Sequence, residues 1–317
     1  MQELYQSDNK EAIRFLTDYS KKDAPWDMHR ANAQTVEHMY GLSEKGEFSN
    51  LVKRMILCSG VLGFTRATDK STGEIRYRLK TARFCRVRHC PVCGWRRTMK
   101  NKARFLTTLP KLLNLYPTHR FLFLTLTVPN CDITQLRATL GEMGKAWKRL
   151  INRKEFSKVD GWVRSTEVTY SKNKGGNAHP HFHIMLMVKP SYFNGNGYIK
   201  QEAWLKAWQE SMRDDSITQV DIRAMKGEKA IAEVLKYAVK ESDLVESPEW
   251  LFELTRQVRN LRFIATGGLL KNMLKEEITE QEMIVGDESE SDGETEDVVS
   301  LLATWLPTMN RYKAKHV

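Results

Sequence analysis

Several things are scarce in this chain, and each scarcity removes a class of protein. The opening residues, MQELYQSDNKEAIRF, lack the cationic and apolar blocks of a secretory signal. The longest apolar stretch, residues 121–126, is far too short to span a bilayer. A cytoplasmic location with no membrane partner is therefore expected. Cysteine is sparse and odd in number, five in 317 residues with three of them clustered. That argues against a disulfide framework and for a reducing compartment with a metal site. No P-loop occurs: GEMGK at 141–145 has the wrong spacing and lies inside a predicted helix. Basic residues are absent from 276–297, which holds eleven Asp and Glu and few apolar residues; a disordered, acidic stretch is expected there.

What remains is strongly basic. The whole chain carries +11, and without the acidic stretch the remainder carries +22. Such a body points to a polyanionic partner, with nucleic acid the default.

Residues 178–188, AHPHFHIMLMV, hold the most chemical information. On a strand, alternate side chains share a face, so His179, His181, His183, Met185 and Met187 point one way. Pro180, Phe182, Ile184, Leu186 and Val188 form an apolar opposite face. Two imidazoles two residues apart on one strand face can close on a single divalent ion. The preceding strand, 162–170, is joined by the turn SKNKGGN at 171–177. A turn centred on Gly175 sets Glu167 opposite His183 and makes it the third ligand, with His179 as the rival.

A helix is expected over 228–240, with Ile231, Val234, Leu235, Ala238 and Val239 in one stripe. Tyr237 falls opposite, with Glu233 one turn before it and Lys236 and Lys240 on the same side. A tyrosine placed for packing would lie in the stripe; this one is a candidate nucleophile.

Cys85, Cys90 and Cys93 in FCRVRHCPVCGWRR have knuckle spacing, which lets thiolates meet one Zn²⁺ at tetrahedral angles. Cys58 is the natural fourth ligand; His89 is possible but abuts Cys90. Arg83, Arg86, Arg88, Arg96, Arg97, Lys100 and Lys102 surround the cluster and suit phosphates.

Further along, the pattern gives a strand at 120–128, a helix from Asp132 to about Arg153, a helix over 199–213 and a strand over 217–224. The fold class is α+β: a central antiparallel sheet with helices, preceded by a zinc-binding module. The expected divisions are a helical 1–48, a zinc module 49–105, a catalytic unit 106–245, a helical 246–275, the acidic 276–297 and a tail 298–317. Residues 248–274 read as helical, interrupted at 266–268, and 299–306 as a short helix.

In order along the chain, PWDMHR, FCRVRHCPVCGWRR, FLTLTV, RSTEVTY, HPHFHIML and EVLKYAVKESD resemble the HUH endonuclease superfamily. They are most similar to the replication initiator (Rep) proteins of rolling-circle plasmids, from about residue 26 to 271. The resemblance implies that His181, His183 and Glu167 hold a catalytic Mg²⁺ or Mn²⁺, and that Tyr237 is the nicking tyrosine. Glu233 matches the glutamate that activates water for the closing cleavage in single-tyrosine initiators; two-tyrosine relatives place a second tyrosine there. Lys240 would assist the phenolate. The implied partners are single-stranded or supercoiled plasmid origin DNA, a host helicase and a DNA polymerase. A relaxase or transposase would use the same chemistry. A noncatalytic zinc-dependent DNA-binding regulator would explain the charge and cysteines while leaving the histidine strand and Tyr237 idle.

Overall fold

A computed structural model describes residues 13–68, 73–171, 177–194, 197–225, 234, 239–272, 274–275, 294–295 and 298–317. Eight helices are described: α1 Leu16–Tyr19, α2 Pro25–Gly41, α3 Ser49–Ile56, α4 Pro91–Leu115, α5 Leu136–Leu150, α6 Gln201–Met212, α7 Glu241–Leu244 and α8 Pro248–Gln257. The described strands are β1 Val61–Thr68, β2 Ile75–Ala82, β3 Arg120–Thr127, β4 Val159–Ser171, β5 Asn177–Val188, β6 Val220–Ala224, β7 Ile264–Gly268, β8 Glu294–Thr295, β9 Leu301–Leu306 and β10 Arg311–His316. They form two antiparallel sheets, so the α+β expectation holds.

The central sheet runs β6-β3-β5-β4-β7. Its middle strand, β5, changes character along its length, and the sequence explains why. Phe182, Ile184, Leu186 and Val188 pack with Met143, Trp147 and Leu150 of α5 and with Trp204 and Trp208 of α6. On the other face Met185 and Met187 are buried with Phe105 and Leu109 of α4, Phe123, Val163 and Val234. A strand covered on both sides reads as continuous apolar sequence, whereas the half with one open face keeps its polar alternation. The histidines belong to that second half.

Asp132 accepts a hydrogen bond from the Thr134 amide at the entry to α5, as a helix-capping aspartate should. The GEMGK residues 141–145 lie within α5.

The other sheet runs β10-β9-β1-β2, with β8 also on β1. Here two expectations are corrected. Residues 299–306 do not form a helix: 301–306 are β9, paired with β1 from Val61↔Thr304 to Phe64↔Leu301. A short apolar run is ambiguous between helix and strand, and here the open edge of β1 decides. Likewise 248–274 is α8 followed by β7, and the glycines at its end are part of a strand. β7 pairs with β4 from Gly161↔Gly268 to Ser165↔Ile264. An added Cβ at Gly267 would run into the Trp162 ring, and Gly268 has φ +58° against the Asp160 carbonyl. The glycines are there for close approach.

α2 packs on the cysteine region: the Trp26 and Trp95 rings meet edge-on at 4.8 Å, and His29 stacks on Trp95 at 4.5 Å. The long α4 begins at the cysteines and ends under the central sheet, crossing residue 105 without a break. No helix among the described residues is long and apolar enough to cross a membrane.

Candidate functional site

The antiparallel ladder of β4 and β5 brings Glu167, His181 and His183 onto one face. Glu167 pairs with His181, not His183 as a turn centred on Gly175 would have it. The register differs by two residues, which preserves the face of every side chain, so the same three groups still meet. Glu167 Oε2 lies 2.7 Å from His181 Nε2 and 2.7 Å from His183 Nε2. Burial opposes the Glu167 charge, but hydrogen bonds from His181 and His183, together with their charges, hold the carboxyl well below its usual range. The site thus keeps a carboxylate anion between two imidazoles.

β3 supports the arrangement from the other side. Thr125 pairs with His183 and Thr127 with His181 in its ladder to β5. Thr125 Oγ1 lies 3.3 Å from His183 Nδ1, and the Phe123 ring is 5.4 Å from the His183 ring. These contacts orient the imidazole so that Nε2 faces Glu167. The rival ligand, His179, lies outside the group of three that could hold one ion. Its ring is 5.4 Å from that of His181, and burial first, then His181, lowers its pKa.

Two nitrogens and one carboxylate oxygen, all within 4.8 Å of one another, fit a single divalent ion. The residue types, their partial burial and the ionised state of Glu167 agree with that use.

The four cysteines form a second group. Cys58 follows α3, Cys85 follows β2, Cys90 caps α4 and Cys93 lies in its first turn. Cys58 Sγ is 3.7 Å from both Cys90 Sγ and Cys93 Sγ, and Cys85 Sγ is 3.6 Å from Cys93 Sγ. Four sulfurs at about 2.3 Å from Zn²⁺ in a tetrahedron stand about 3.8 Å apart, so the spacing fits that ion. The backbone amides of Cys85, Arg86 and Val87 donate to Cys58, Cys93 and Cys85 sulfurs at 3.3–3.4 Å, which favours thiolate. Cys58 is thus the fourth member that its position suggested. His89 stays outside the set, buried, with its pKa lowered to about 3 by burial and then by Arg88 and Arg97. Cys131 also lies outside it; its backbone bridges to Ala178.

Tyr237, Glu233 and Lys236 lie outside the described residues. Val234 of the expected stripe is buried against Met185 and Met187, and Val239 is buried with the α2 and α8 core. Lys240 has extended backbone and starts α7, so the expected helix stops short of it.

The residues that follow are firmly held, which sequence reasoning missed. Glu241 lies 2.7 Å from His29 Nδ1 and accepts from Asn32 Nδ2 at 2.8 Å. Asp243 Oδ2 accepts from the Tyr170 amide of β4 at 3.0 Å. Their signal was present in the KESD of the tyrosine motif and the DMHR of the first motif, which here prove to be partners.

The model of the replication protein family matches residues 76–313. The chain is 33% identical to Protein rep of Streptococcus pneumoniae serotype 2 (strain D39 / NCTC 7466), covering 96% of each chain. It is 35% identical to Protein rep of Lentilactobacillus hilgardii over 83% of this chain and 86% of the relative. It is also 30% identical to Protein rep of Bacillus amyloliquefaciens, over 98% and 100%. No solved structure matches the chain. With its motifs in family order and relatives matching along nearly the whole length, the chain belongs to the replication protein family, as a plasmid rolling-circle initiator.

Proposed function

We propose that this initiator is an HUH-type, metal-dependent nicking and joining enzyme acting on a single DNA strand at its plasmid's origin. The convergence of Glu167 Oε2 on His181 Nε2 and His183 Nε2 carries the reading. Neither a DNA-binding regulator nor a structural sheet needs a buried carboxylate between two imidazoles on an otherwise apolar strand. A divalent ion held by these three would polarise the scissile phosphate and stabilise the charge that develops on it.

Tyr237 is the proposed nucleophile. Its oxygen bonds to the phosphorus as the bond to the 3′ oxygen breaks, leaving a 5′-phosphotyrosine and a free 3′-OH for a host polymerase. Ionising a phenol of pKa about 10 at pH 7 costs roughly 4 kcal/mol. Lys240 and Lys236 are proposed to offset part of that. One phosphodiester replaces another, so no ATP is needed, in keeping with the missing P-loop; strand separation falls to a host helicase. Glu233 is proposed to activate water at termination, releasing the second end by hydrolysis without a second covalent complex. Cys58, Cys85, Cys90 and Cys93 are proposed to hold a structural Zn²⁺ that fixes the start of α4. The cytoplasm, where plasmid DNA lies, is the proposed location.

Incubation with Mn²⁺ or Mg²⁺ and single-stranded origin DNA, beside Tyr237→Phe, tests this on a denaturing gel. A metal-dependent adduct on the 5′ side of the cut, absent in the variant, is the expected result. Absence of cleavage on every origin segment by folded, metal-loaded protein would overturn the reading.

A further inference from the structure

A cleft of about 980 Å³ lies between α4 and β7. One wall is the exposed side of α4, with Arg97, Asn101 and Arg104; the other carries Arg262 beside β7 and Lys271 and Lys275 beyond it. Arg86 and Arg88 close the end near the cysteines. Ser165 also lines the cleft, and it is the cross-strand partner of His183. The basic groove therefore reaches the strand pair that carries the candidate metal site.

Among the described residues its charge is little compensated. Among the described lining residues the one carboxylate is Glu241, and that is engaged by His29 and Asn32. Arg88 donates to the Leu261 carbonyl and lies over the Phe263 ring, a structural use. Arg97, Arg262, Lys271 and Lys275 are exposed, with no carboxylate partner among the described residues. Cations gathered on two facing walls repel one another, and a polyanion between them removes that cost.

The lining also says how such a ligand is read. Among the described lining residues the rings are Phe263, buried and covered by Arg88, and His89, itself buried, so neither is free to stack on a base. What these residues offer a nucleic acid is cationic contact to phosphates and not stacking on bases.

We propose that this cleft is a phosphate track for single-stranded DNA, leading the strand to the Glu167–His181–His183 site; it rests on the nicking reading above. The track contributes affinity independent of sequence, and origin choice lies elsewhere. Each phosphate contact on a single strand releases counterions worth a slope of about −0.7 in log K against log salt.

The test is fluorescence anisotropy with labelled oligo-dT across a salt series. In the triple variant Arg97→Ala, Arg262→Ala, Lys271→Ala the slope should become shallower by about 2, with at least tenfold, roughly, weaker binding at 0.1 M salt. Each single substitution should remove about 0.7 of the slope, which covers the case of a triple variant that does not fold. Replacing Lys148, Lys154 and Lys206, on the α5 and α6 side, by Ala should leave the slope unchanged. An unchanged slope in folded track variants would overturn the proposal. Wild-type protein that binds oligo-dT through these cations but forms no origin adduct keeps the track and removes the nicking reading. An adduct without track dependence does the reverse.

Discussion

Glu167 stands opposite His181 across the β4–β5 ladder, and its Oε2 reaches His183 Nε2, one pair further along the same face, at an equal 2.7 Å. One carboxylate oxygen thus serves both rings. Glu167→Gln keeps the shape but removes the charge, and should weaken Mn²⁺ binding by at least about tenfold in calorimetry. Affinity for oligo-dT without metal should not change.

Thr125 is the outer support of the same site, through its 3.3 Å contact with His183 Nδ1. Thr125→Val preserves the strand and the volume but lets the imidazole turn. A loss of about tenfold in Mn²⁺ affinity is expected, with the melting temperature nearly unchanged. Equal metal binding in the variant would show that packing on Phe123 alone holds the ring.

The donor set also predicts a metal preference. Imidazole nitrogens suit Mn²⁺ better than Mg²⁺, which favours oxygen ligands and keeps its waters. Cleavage should therefore saturate at lower Mn²⁺ than Mg²⁺ concentration in a titration of apo-protein. Zinc bound to the four thiolates should survive the mild chelation that strips this site, and metal analysis should find one equivalent per chain. Cys58→Ser should lose that equivalent.

Asp243 ties the segment after Tyr237 to the Tyr170 amide. Asp243→Ala should lower stability by about 1–2 kcal/mol in urea unfolding and slow adduct formation. Oligo-dT affinity should stay as it was, because Asp243 does not line the basic cleft. A variant slow only through weak binding would contradict the positioning role.

Gly268→Ala places a Cβ against the Asp160 carbonyl at a backbone of φ +58°. It should destabilise by more than about 2 kcal/mol, measured by urea unfolding, and loosen β7 from β4.

Much of the central unit was legible because periodicity is local. The two faces of β5 follow from alternation in AHPHFHIMLMV, and Asp132 announces α5. Glu167 was found although its register was off by two, because parity and not register decides the face. Cys58 was legible from its place before β1, although it is distant in sequence from the other three. What was hidden depends on partners far along the chain. Nothing within LLATWL says that β1 offers it an edge, and the two glycines of β7 read as a break because their neighbours, Trp162 and Asp160, lie elsewhere. Glu241 and His29 both sit in recognisable motifs, but nothing within either segment says that the two, far apart in sequence, are partners.

The final hairpin has a consequence in time. The buried Tyr312 hydroxyl donates to the Ser59 carbonyl beside Cys58, across 253 residues, and β9 fills the open edge of β1. During synthesis the four thiolates emerge early, but the sheet beside them stays unfinished until β9 and β10 leave the ribosome. Contacts so distant in sequence form late and slowly. A nascent chain still lacking β9 and β10 would thus carry the histidine strand beside an unfinished sheet, and the packing of Leu301, Ala303, Trp305 and Tyr312 into the core that holds Cys58 and Cys90 would come last.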